Sequence, residues 1–179
     1  MYLEEETTFF KDRLKVLEIA PALCFHDKCK TLANIDYVSG DISSPIAMVR
    51  MDITALPLPN DHFDCIICYH VLDDVVDDRQ AMRELWRVLK PGGWAIVQSP
   101  IGTDGDTFEI SKALPFHERE RLYGEAVNNR IYGSDYKARL VAAGFNVKED
   151  DFVKRLEPEV IRRNCLDRNE IIHLCAKPA

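Results

Sequence analysis

Apolar and polar positions follow each other along the chain in patterns that predict strands interleaved with helices. Short apolar runs, typical of buried strands, occupy 15–20, 34–40, 48–51, 62–69, 94–99, 145–153 and 170–176. Helices are predicted at 2–12, 22–32, 77–89 and 134–143. Strands that alternate with helices are typical of an α/β fold, in which helices cover both faces of a mainly parallel sheet.

The helix at 77–89 has the clearest boundaries. Its apolar residues recur at helical spacing, and Asp77 or Asp78 can cap its N-terminus. The sequence KPGG at 90–93 is expected to end it, because Pro91 cannot continue a helix and the two glycines permit a turn. Gly144 is the expected C-cap of the helix at 134–143.

Length and charge indicate one compact domain that spans residues 1–179. The net charge is −7 and no run of lysine or arginine interrupts it, so nucleic-acid binding is not indicated. No apolar run approaches the roughly 20 residues of a membrane span. The start, MYLEEETTFFKDR, is too acidic and polar for a signal peptide. We therefore expect a cytoplasmic protein.

Cys65 and Cys68 form a C-x-x-C pair, the spacing that many zinc sites use. The pair lies within a predicted strand, on which residues three apart point to opposite faces. The two thiols therefore cannot bind one metal ion, and we interpret them as buried structural cysteines. No metal site is expected.

Acidic residues stand near the ends of three successive predicted strands, at Glu18, Asp41 and Asp52. In a parallel α/β sheet, ligands bind beyond the carboxyl ends of the strands, where the strand order reverses. A carboxylate about 20 residues after the first strand can accept both hydroxyls of a ribose, and Asp41 fits that offset. Each acid alone is better explained as a solvated loop residue or a helix cap. Three in succession favour a nucleoside site.

Four further motifs are more specific: Met51-Asp52-Ile53, Leu56-Pro57, Phe63-Asp64 and Leu85-x-x-Val88-Leu89-Lys90-Pro91-Gly92-Gly93. With these motifs, the chain from Lys15 to Pro178 resembles class I S-adenosylmethionine-dependent methyltransferases of the type 11 group. The segment RIYGSDYKARLVAAGF resembles one branch of that group, in which Ala-Pro replaces the glycine-rich turn after the first strand. The resemblance implies a Rossmann-like, doubly wound sheet of seven strands, mainly parallel, with an antiparallel last strand. It also implies a site for S-adenosylmethionine, whose product is S-adenosylhomocysteine.

The resemblance assigns residues of this chain to the cofactor. Glu18 matches the acid at the methionine end, Asp41 the ribose-binding acid, and Asp52 part of the pair that recognises adenine. The fourth strand end lies beside the reacting methyl group in the family, and His70 there is the best-placed candidate for a general base. The favoured alternative is that His70 packs at the strand end or lines the site without transferring a proton, so the catalytic residue is left unassigned. The full set of predicted cofactor-binding residues is Glu18, Ala20, Pro21, Asp41, Ile42, Asp52, Ile53, Cys68, Tyr69 and His70.

The turn Ala20-Pro21-Ala22 stands where many nucleotide-binding folds have glycines. Glycine permits positive φ and a close approach of the backbone, whereas Pro21 fixes φ near −65° and donates no N–H. S-adenosylmethionine has no phosphate to be bound by backbone amides, so the loss of glycine costs less here. The three acids favour a working site, and a decayed site that no longer binds is the alternative.

Only ISSPIAMVRM separates Asp41 from Asp52, which is too short for the usual crossover helix. We therefore expect one face of the sheet near the second and third strands to lack its own cover. Three candidates for a cover are the N-terminal helix within residues 1–14, a second copy of the chain in a homodimer, and an upstream region like that of longer relatives.

Residues 101–130 are polar, contain Gly102, Gly105 and Pro115, and lie where this fold usually contacts substrate, so they are a candidate lid. A solvated surface helix is the alternative. Arg130, Tyr132 and Asp135 are expected to face the pocket. The other histidines are interpreted as structural or surface residues, namely His26, His62, His117 and His173.

The predicted function is methyl transfer (EC 2.1.1.-) to an unidentified small-molecule or macromolecular acceptor, which the enzyme positions in line with the sulfonium methyl. The alternative is a non-catalytic domain of the same fold that binds the cofactor or a partner. A dinucleotide oxidoreductase is disfavoured, because no Gly-x-Gly-x-x-Gly follows the first strand.

Overall fold

A seven-stranded sheet forms the centre of the molecule. The computed structural model describes residues 1–102, 105–110, 115–123 and 128–179. Along the chain, the strands of the sheet are β1 (Leu14–Ile19), β2 (Ile35–Asp41), β3 (Val49–Arg50), β4 (Phe63–Tyr69), β5 (Leu89–Gln98), β8 (Asn146–Asp150) and β9 (Ile172–Ala176). A separate two-stranded ribbon pairs β6 (Phe108–Glu109) with β7 (Arg130–Ile131).

The strand order is β3-β2-β1-β4-β5-β9-β8, and in this sheet β9 runs opposite to the other six strands. This confirms the predicted doubly wound α/β fold with an antiparallel last strand. The order reverses between β1 and β4, where Ile19 pairs with Gly40 on one side and with Cys68 on the other. The carboxyl ends of three parallel strands therefore meet where such sheets bind ligands.

Helices lie on both faces of the sheet. They are α1 (Tyr2–Glu5), α2 (Leu23–Thr31), α3 (Asp78–Val88), α4 (Phe116–Tyr123), α5 (Tyr136–Ala142), α6 (Phe152–Arg155) and α7 (Pro158–Arg163). None of the described helices is long and apolar enough to cross a membrane.

Two apolar clusters fill the space on the two faces. The larger one contains Leu85 of α3 and Leu140 of α5, and the smaller one contains Cys29 of α2 and the fully buried Phe9. Cys68 belongs to the larger cluster and Cys65 to the smaller one. The prediction that these two thiols point to opposite faces of β4 is therefore confirmed.

The predicted N-terminal helix at 2–12 is wrong beyond its first turn, since α1 ends at Glu5. The reason is local competition for backbone groups. The Thr7 hydroxyl donates to the Leu3 carbonyl at 2.6 Å and accepts from the Phe9 amide at 3.2 Å. Such side-chain bonds replace the helical ladder. The chain then turns, and Phe9 enters the smaller apolar cluster.

The sequence KPGG ends α3 at Val88 as predicted, but it does not form a turn outside the sheet. β5 starts at Leu89 and includes the glycines, and the pairing with β4 shifts in register between Phe63 and Cys65. Gly92 has a φ of +76° within this irregularity. At the other end of the chain, the strand predicted to reach residue 153 ends at Asp150, and α6 and α7 were not predicted.

No helix connects β2 to β3, as the short connection predicted. Arg50 closes the connection by donating from Nε to the Ile42 carbonyl at 2.9 Å. The side chains of Ile42 and Met48 are exposed there. α1 packs elsewhere, with Tyr2 edge-on to Phe152 of α6 at 5.2 Å between ring centroids.

Candidate functional site

A cavity of about 490 Å³, here called the first cavity, lies beyond the carboxyl ends of β1, β2 and β4. Its volume is in the range of small-molecule pockets. Of the residues predicted to bind the cofactor, it brings together Ala20, Asp41, Ile42, Asp52, Ile53 and His70. Residues from distant parts of the sequence thus converge on one space.

Asp41 is fixed by the turn that follows β2. Its Oδ1 accepts hydrogen bonds from the amides of Ser43 at 2.7 Å and Ser44 at 2.5 Å. Within the described residues Oδ2 makes no hydrogen bond of its own. One carboxylate oxygen is therefore held in place and the other is available to a hydroxyl donor in the first cavity.

Asp52 is held in a similar way on the far side of the first cavity. Its Oδ1 accepts from the amide of Thr54 at 2.8 Å and from the Thr54 hydroxyl at 2.7 Å. These two hydrogen bonds lower the pKa of the Asp52 carboxyl. The neighbouring Ile53 is buried and lines the same cavity, so an ionised acceptor stands beside an apolar surface.

The turn after β1 keeps the conformation that glycine favours. Ala20 has a φ of +52°, and its amide donates to the Gly40 carbonyl at 2.8 Å. Glu18 supports the turn from below, because its carboxylate accepts from the Ala22 amide at 3.0 Å and from the Tyr37 hydroxyl. The alanine therefore adopts a left-handed conformation that an acid and two strands hold in place.

Four of the predicted residues do not line the first cavity. Glu18 and Pro21 are buried, and burial raises the pKa of the Glu18 carboxyl. The Cys68 thiol faces the larger apolar cluster. Tyr69 points to the opposite side of β4, where its hydroxyl donates to Glu170 at 3.3 Å. The alternation of side chains along a strand explains the last two differences.

His70 stands at the end of β4 in a left-handed conformation, with a φ of +54°. Its amide donates to the Gln98 carbonyl at 2.8 Å, and its ring stacks on Tyr69 at 4.1 Å between centroids. Left-handed backbone at a residue other than glycine is common at functional sites. His70 lines both the first cavity and a second one on its other side.

Residues 71–77, here called the β4–α3 loop, form a wall of the first cavity that the sequence interpretation missed. Val71, Asp74, Val75, Val76 and Asp77 line it. No motif marks these residues in the sequence. Their position follows only from the pairing of β4 with its neighbours and from the N-cap of α3, where Asp77 accepts from the Gln80 amide at 2.9 Å.

Arg130 holds the β4–α3 loop in place. Its guanidinium is buried, with 3% of the side chain exposed, and donates to the carbonyls of Leu72, Val75 and Val76 at 2.5, 2.5 and 2.9 Å. The expectation that Arg130 faces the pocket is therefore wrong, because its donors are used on the backbone behind the loop.

Tyr132 and Asp135 also face away from the cavity. The Tyr132 hydroxyl donates to Asp78 at 2.8 Å, and Asp135 accepts from Arg139 at 2.9 Å. Burial and the neighbouring Asp78 raise the pKa of Tyr132, while the Thr107 and Arg139 donors lower the pKa of Asp135 to about 2. These residues form a buried polar network between α3 and α5.

A second cavity of about 630 Å³ lies between the ends of β4 and β5, the start of α5 and residues 165–173. Ile101 lines it, at the start of the predicted lid 101–130. Residues 103–104, 111–114 and 124–127 of that lid lie outside the described residues. Among the residues that the structure describes, no group of three or more His, Cys, Asp or Glu is arranged to hold a metal ion.

Exchange of Ala20 for glycine is expected to raise the free energy of unfolding by up to about 1 kcal/mol. Alanine in a left-handed conformation costs about 1–2 kcal/mol, which glycine avoids. Glycine also gives the unfolded chain more freedom, which lowers the free energy of unfolding by about 0.5–1 kcal/mol and offsets part of the gain. Pro21→Gly is expected to lower stability, because it only adds freedom to the unfolded chain. Urea denaturation measures both.

Ala33→Gly is the matched control, because Ala33 also lies in a turn, is exposed and does not have a positive φ. It should lose stability, since glycine only adds freedom to the unfolded chain there. Equal losses in Ala20→Gly and Ala33→Gly would contradict a strained turn at Ala20.

Comparison with known proteins extends these observations. Residues 12–97 match the family model described as a methyltransferase domain. Over 99 residues the chain is 41% identical to the ubiquinone/menaquinone biosynthesis C-methyltransferase UbiE of Pectobacterium carotovorum subsp. carotovorum, an alignment that covers 54% of this chain and 38% of that protein. The chain thus spans about two fifths of the curated relative that it matches.

Solved structures share the fold across nearly the whole chain. An S-adenosylmethionine-dependent methyltransferase from Archaeoglobus fulgidus superposes with a TM-score of 0.65 at 17% identity and covers 98% of this chain and 91% of its own. The 1,6-didemethyltoxoflavin-N1-methyltransferase of Burkholderia thailandensis, solved with 1,6-didemethyltoxoflavin and S-adenosylhomocysteine, has a TM-score of 0.61 at 13% identity. The superposition covers 94% of this chain and 72% of that protein. Residues 12–97, just under half of the chain, therefore match the methyltransferase domain family.

Proposed function

We propose that the protein binds S-adenosylmethionine in the first cavity and transfers its methyl group to an acceptor that is not yet identified. The observation that carries the proposal is the meeting of Ala20, Asp41 and Asp52 around one cavity, at the ends of β1, β2 and β3. The match of residues 12–97 to the methyltransferase domain family supports the same function. The C-methyl transfer of the curated relative is not carried over, because the alignment covers 38% of that protein.

The charge of the first cavity fits this cofactor better than a dinucleotide. Its described lining includes four aspartates, Asp41, Asp52, Asp74 and Asp77, and contains no lysine or arginine. S-adenosylmethionine carries a sulfonium and an ammonium group and no phosphate. A pyrophosphate would instead meet carboxylates, and the turn at Ala20-Pro21 has few amides to offer it.

The residues that would hold the cofactor have separate tasks. The available Oδ2 of Asp41 accepts the ribose hydroxyls, and Asp52 with the Ile53 backbone recognises the adenine edge. The turn at Ala20 supports the methionine part. The cofactor supplies a methyl group that the positive sulfur already activates, so the main work of the protein is to orient an acceptor and to exclude water.

S-adenosylhomocysteine is expected to raise the melting temperature, because a ligand that binds only the folded state stabilises it by mass action. NAD at the same concentration should not. Differential scanning fluorimetry measures both. Absence of a shift with millimolar S-adenosylhomocysteine would overturn the cofactor assignment. Binding without any S-adenosylhomocysteine release in an acceptor screen would favour the non-catalytic alternative.

Size-exclusion light scattering tests the homodimer, which would have twice the mass of one chain. A clean monomer would count against it.

A further inference from the structure

The second cavity contains a histidine whose surroundings define its protonation. His173 stands at the start of β9, and 3% of its side chain is exposed. It lines the second cavity together with Gln98 at the end of β5 and Tyr136 of α5. The Tyr136 ring meets the imidazole edge-on at 4.8 Å between centroids, so packing fixes the plane of the ring.

Gln98 determines which ring nitrogen of His173 carries the proton. The Gln98 amide group donates from Nε2 to the Ile171 carbonyl at 2.8 Å, which fixes the orientation of the amide. Gln98 Oε1 therefore faces His173, where it lies 3.1 Å from Nδ1 and 3.2 Å from the backbone amide. An amide oxygen only accepts hydrogen bonds, so Nδ1 must carry a proton.

The other nitrogen, Nε2, is then an unprotonated acceptor in the neutral ring. The charged groups that face it are Glu149 of β8 and Lys137 of α5. Glu149 Oε1 lies 3.9 Å away, beyond hydrogen-bonding distance, and Glu149 Oε2 accepts from Lys137 at 2.8 Å. Burial lowers the pKa of His173, which keeps the ring neutral near pH 7.

We propose that the second cavity holds the methyl acceptor and that His173 Nε2 accepts the proton from the hydroxyl or amine that becomes methylated. The inference rests on the proposed function, and it adds the acceptor site, its base and the class of acceptor. His70 lines both cavities and is therefore where they meet. An acceptor beside His173 in the second cavity approaches, past His70, the methyl group of a cofactor bound in the first cavity.

The proposed step balances without a further reactant beyond the methyl donor. A bond forms between the acceptor oxygen or nitrogen and the methyl carbon while the carbon–sulfur bond breaks, and the electron pair of that bond stays on sulfur. The proton of the acceptor moves to Nε2, which gives an imidazolium beside Glu149. Glu149 stabilises that charge, and the proton then leaves to solvent.

The residues that line the second cavity also restrict the charge that an acceptor can carry. Glu149, Asp167 and Glu170 contribute three carboxylates, and Lys137 contributes one ammonium group. The balance is negative, so an acceptor that carries a carboxylate or phosphate is repelled. Tyr69, stacked on His70, adds a flat apolar surface that is 49% exposed. The acceptor is thus a small, uncharged or cationic molecule with a hydroxyl or amine.

Long-range ¹H–¹⁵N NMR of the protein with S-adenosylhomocysteine tests the protonation directly. At pH 7.5 we expect the His173 ring to show a protonated Nδ1 and an unprotonated Nε2. A ring protonated at Nε2, alone or together with Nδ1, would overturn the proposal. Because S-adenosylhomocysteine binding is measured on the same sample, this failure is separate from failure of the proposed function.

Two probes test the acceptor class. Tyramine and 4-hydroxyphenylacetate share a phenol and differ in the sign of their charge. In the presence of S-adenosylhomocysteine, tyramine should shift the His173 ring signals and bind at least tenfold more tightly than 4-hydroxyphenylacetate. Equal affinities, tighter binding of the acid, or no binding of either probe at millimolar concentration would overturn the assigned class.

His173→Asn removes the proposed base, Nε2, and keeps a donor that can replace Nδ1 in the hydrogen bond to Gln98 Oε1. We expect about three- to tenfold weaker tyramine binding with an unchanged thermal shift by S-adenosylhomocysteine. His117→Asn, at an exposed histidine of α4, is the control and should bind both ligands as wild type. Unchanged tyramine affinity in folded His173→Asn would remove His173 from the acceptor site.

Discussion

Arg130→Met is expected to lower the free energy of unfolding by about 3–5 kcal/mol and to weaken S-adenosylhomocysteine binding. Methionine fills the space but leaves the carbonyls of Val75 and Val76 without the donor they have in the wild type. Removal of one charge from the buried ion pair with Asp78, whose partners are 3% and 6% exposed, costs about 3–5 kcal/mol. The two carbonyls are only part-buried, so the loss of their hydrogen bonds adds less. Urea denaturation and calorimetry measure the two effects.

Arg139→Met is the matched control for Arg130. Both guanidinium groups pair with Asp78, but Arg139 contacts carboxylates and the ring of Tyr132 and not the β4–α3 loop. Both variants should lose stability, whereas only Arg130→Met should lose affinity for S-adenosylhomocysteine beyond what unfolding explains. Equal affinities in the two variants would show that the loop does not depend on Arg130.

Asp41→Ala is expected to weaken S-adenosylhomocysteine binding by about ten- to hundredfold, or about 1.5–3 kcal/mol, because the ribose loses a charged acceptor. Asp41→Asn distinguishes the loss of the ribose contact from disruption of the turn after β2. Asparagine keeps an oxygen for the amides of Ser43 and Ser44 and replaces the available oxygen by a donor. A similar loss in both variants would support the ribose contact.

Asp52→Ala should weaken binding less than Asp41→Ala and should relax selectivity for adenine, since Ile53 still offers its backbone. Calorimetry with S-adenosylhomocysteine and its inosine analogue measures both properties. If the folded Asp41 and Asp52 variants bind as wild type, the first cavity is not the cofactor site.

The sequence was sufficient for the strands that build the first cavity. The runs that end at Gly40 and Tyr69 are rich in apolar and β-branched or aromatic residues, and the polar residues that follow strands are local signals, so Asp41, Asp52 and His70 could be placed at strand ends. The resemblance extended this placement to the strand order. Both kinds of information depend on residues close together in the chain.

The direction of a side chain at a strand end could not be obtained in the same way. Glu18 stands near the end of β1, yet it turns under the chain because Tyr37 of β2 and the Ala22 amide bind its carboxylate. A shift of one position moves a side chain to the other face, which is why Cys68 faces the larger apolar cluster while the neighbouring Tyr69 lines the second cavity.

Contacts between distant residues account for what the sequence did not predict. Arg130 reaches carbonyls that lie 54 to 58 positions earlier in the chain, and His173 is oriented by Gln98, 75 positions away. No periodicity or motif connects such pairs. Arg130 was therefore assigned to the pocket, which its contacts with the β4–α3 loop correct, and the hydrogen bonds of His173 with Gln98 could not be foreseen.

The two edge strands of the sheet, β3 and β8, affect how readily copies of the protein associate at high concentration. Unpaired edge strands invite copies of a chain to add to one another unless the edge is short or charged. β3 offers two residues, and β8 presents Lys148 and Glu149 to solvent among its five. Neither edge is a good template for a further strand. Copies of the protein are thus expected to meet through side-chain surfaces and to resist aggregation by extension of the sheet.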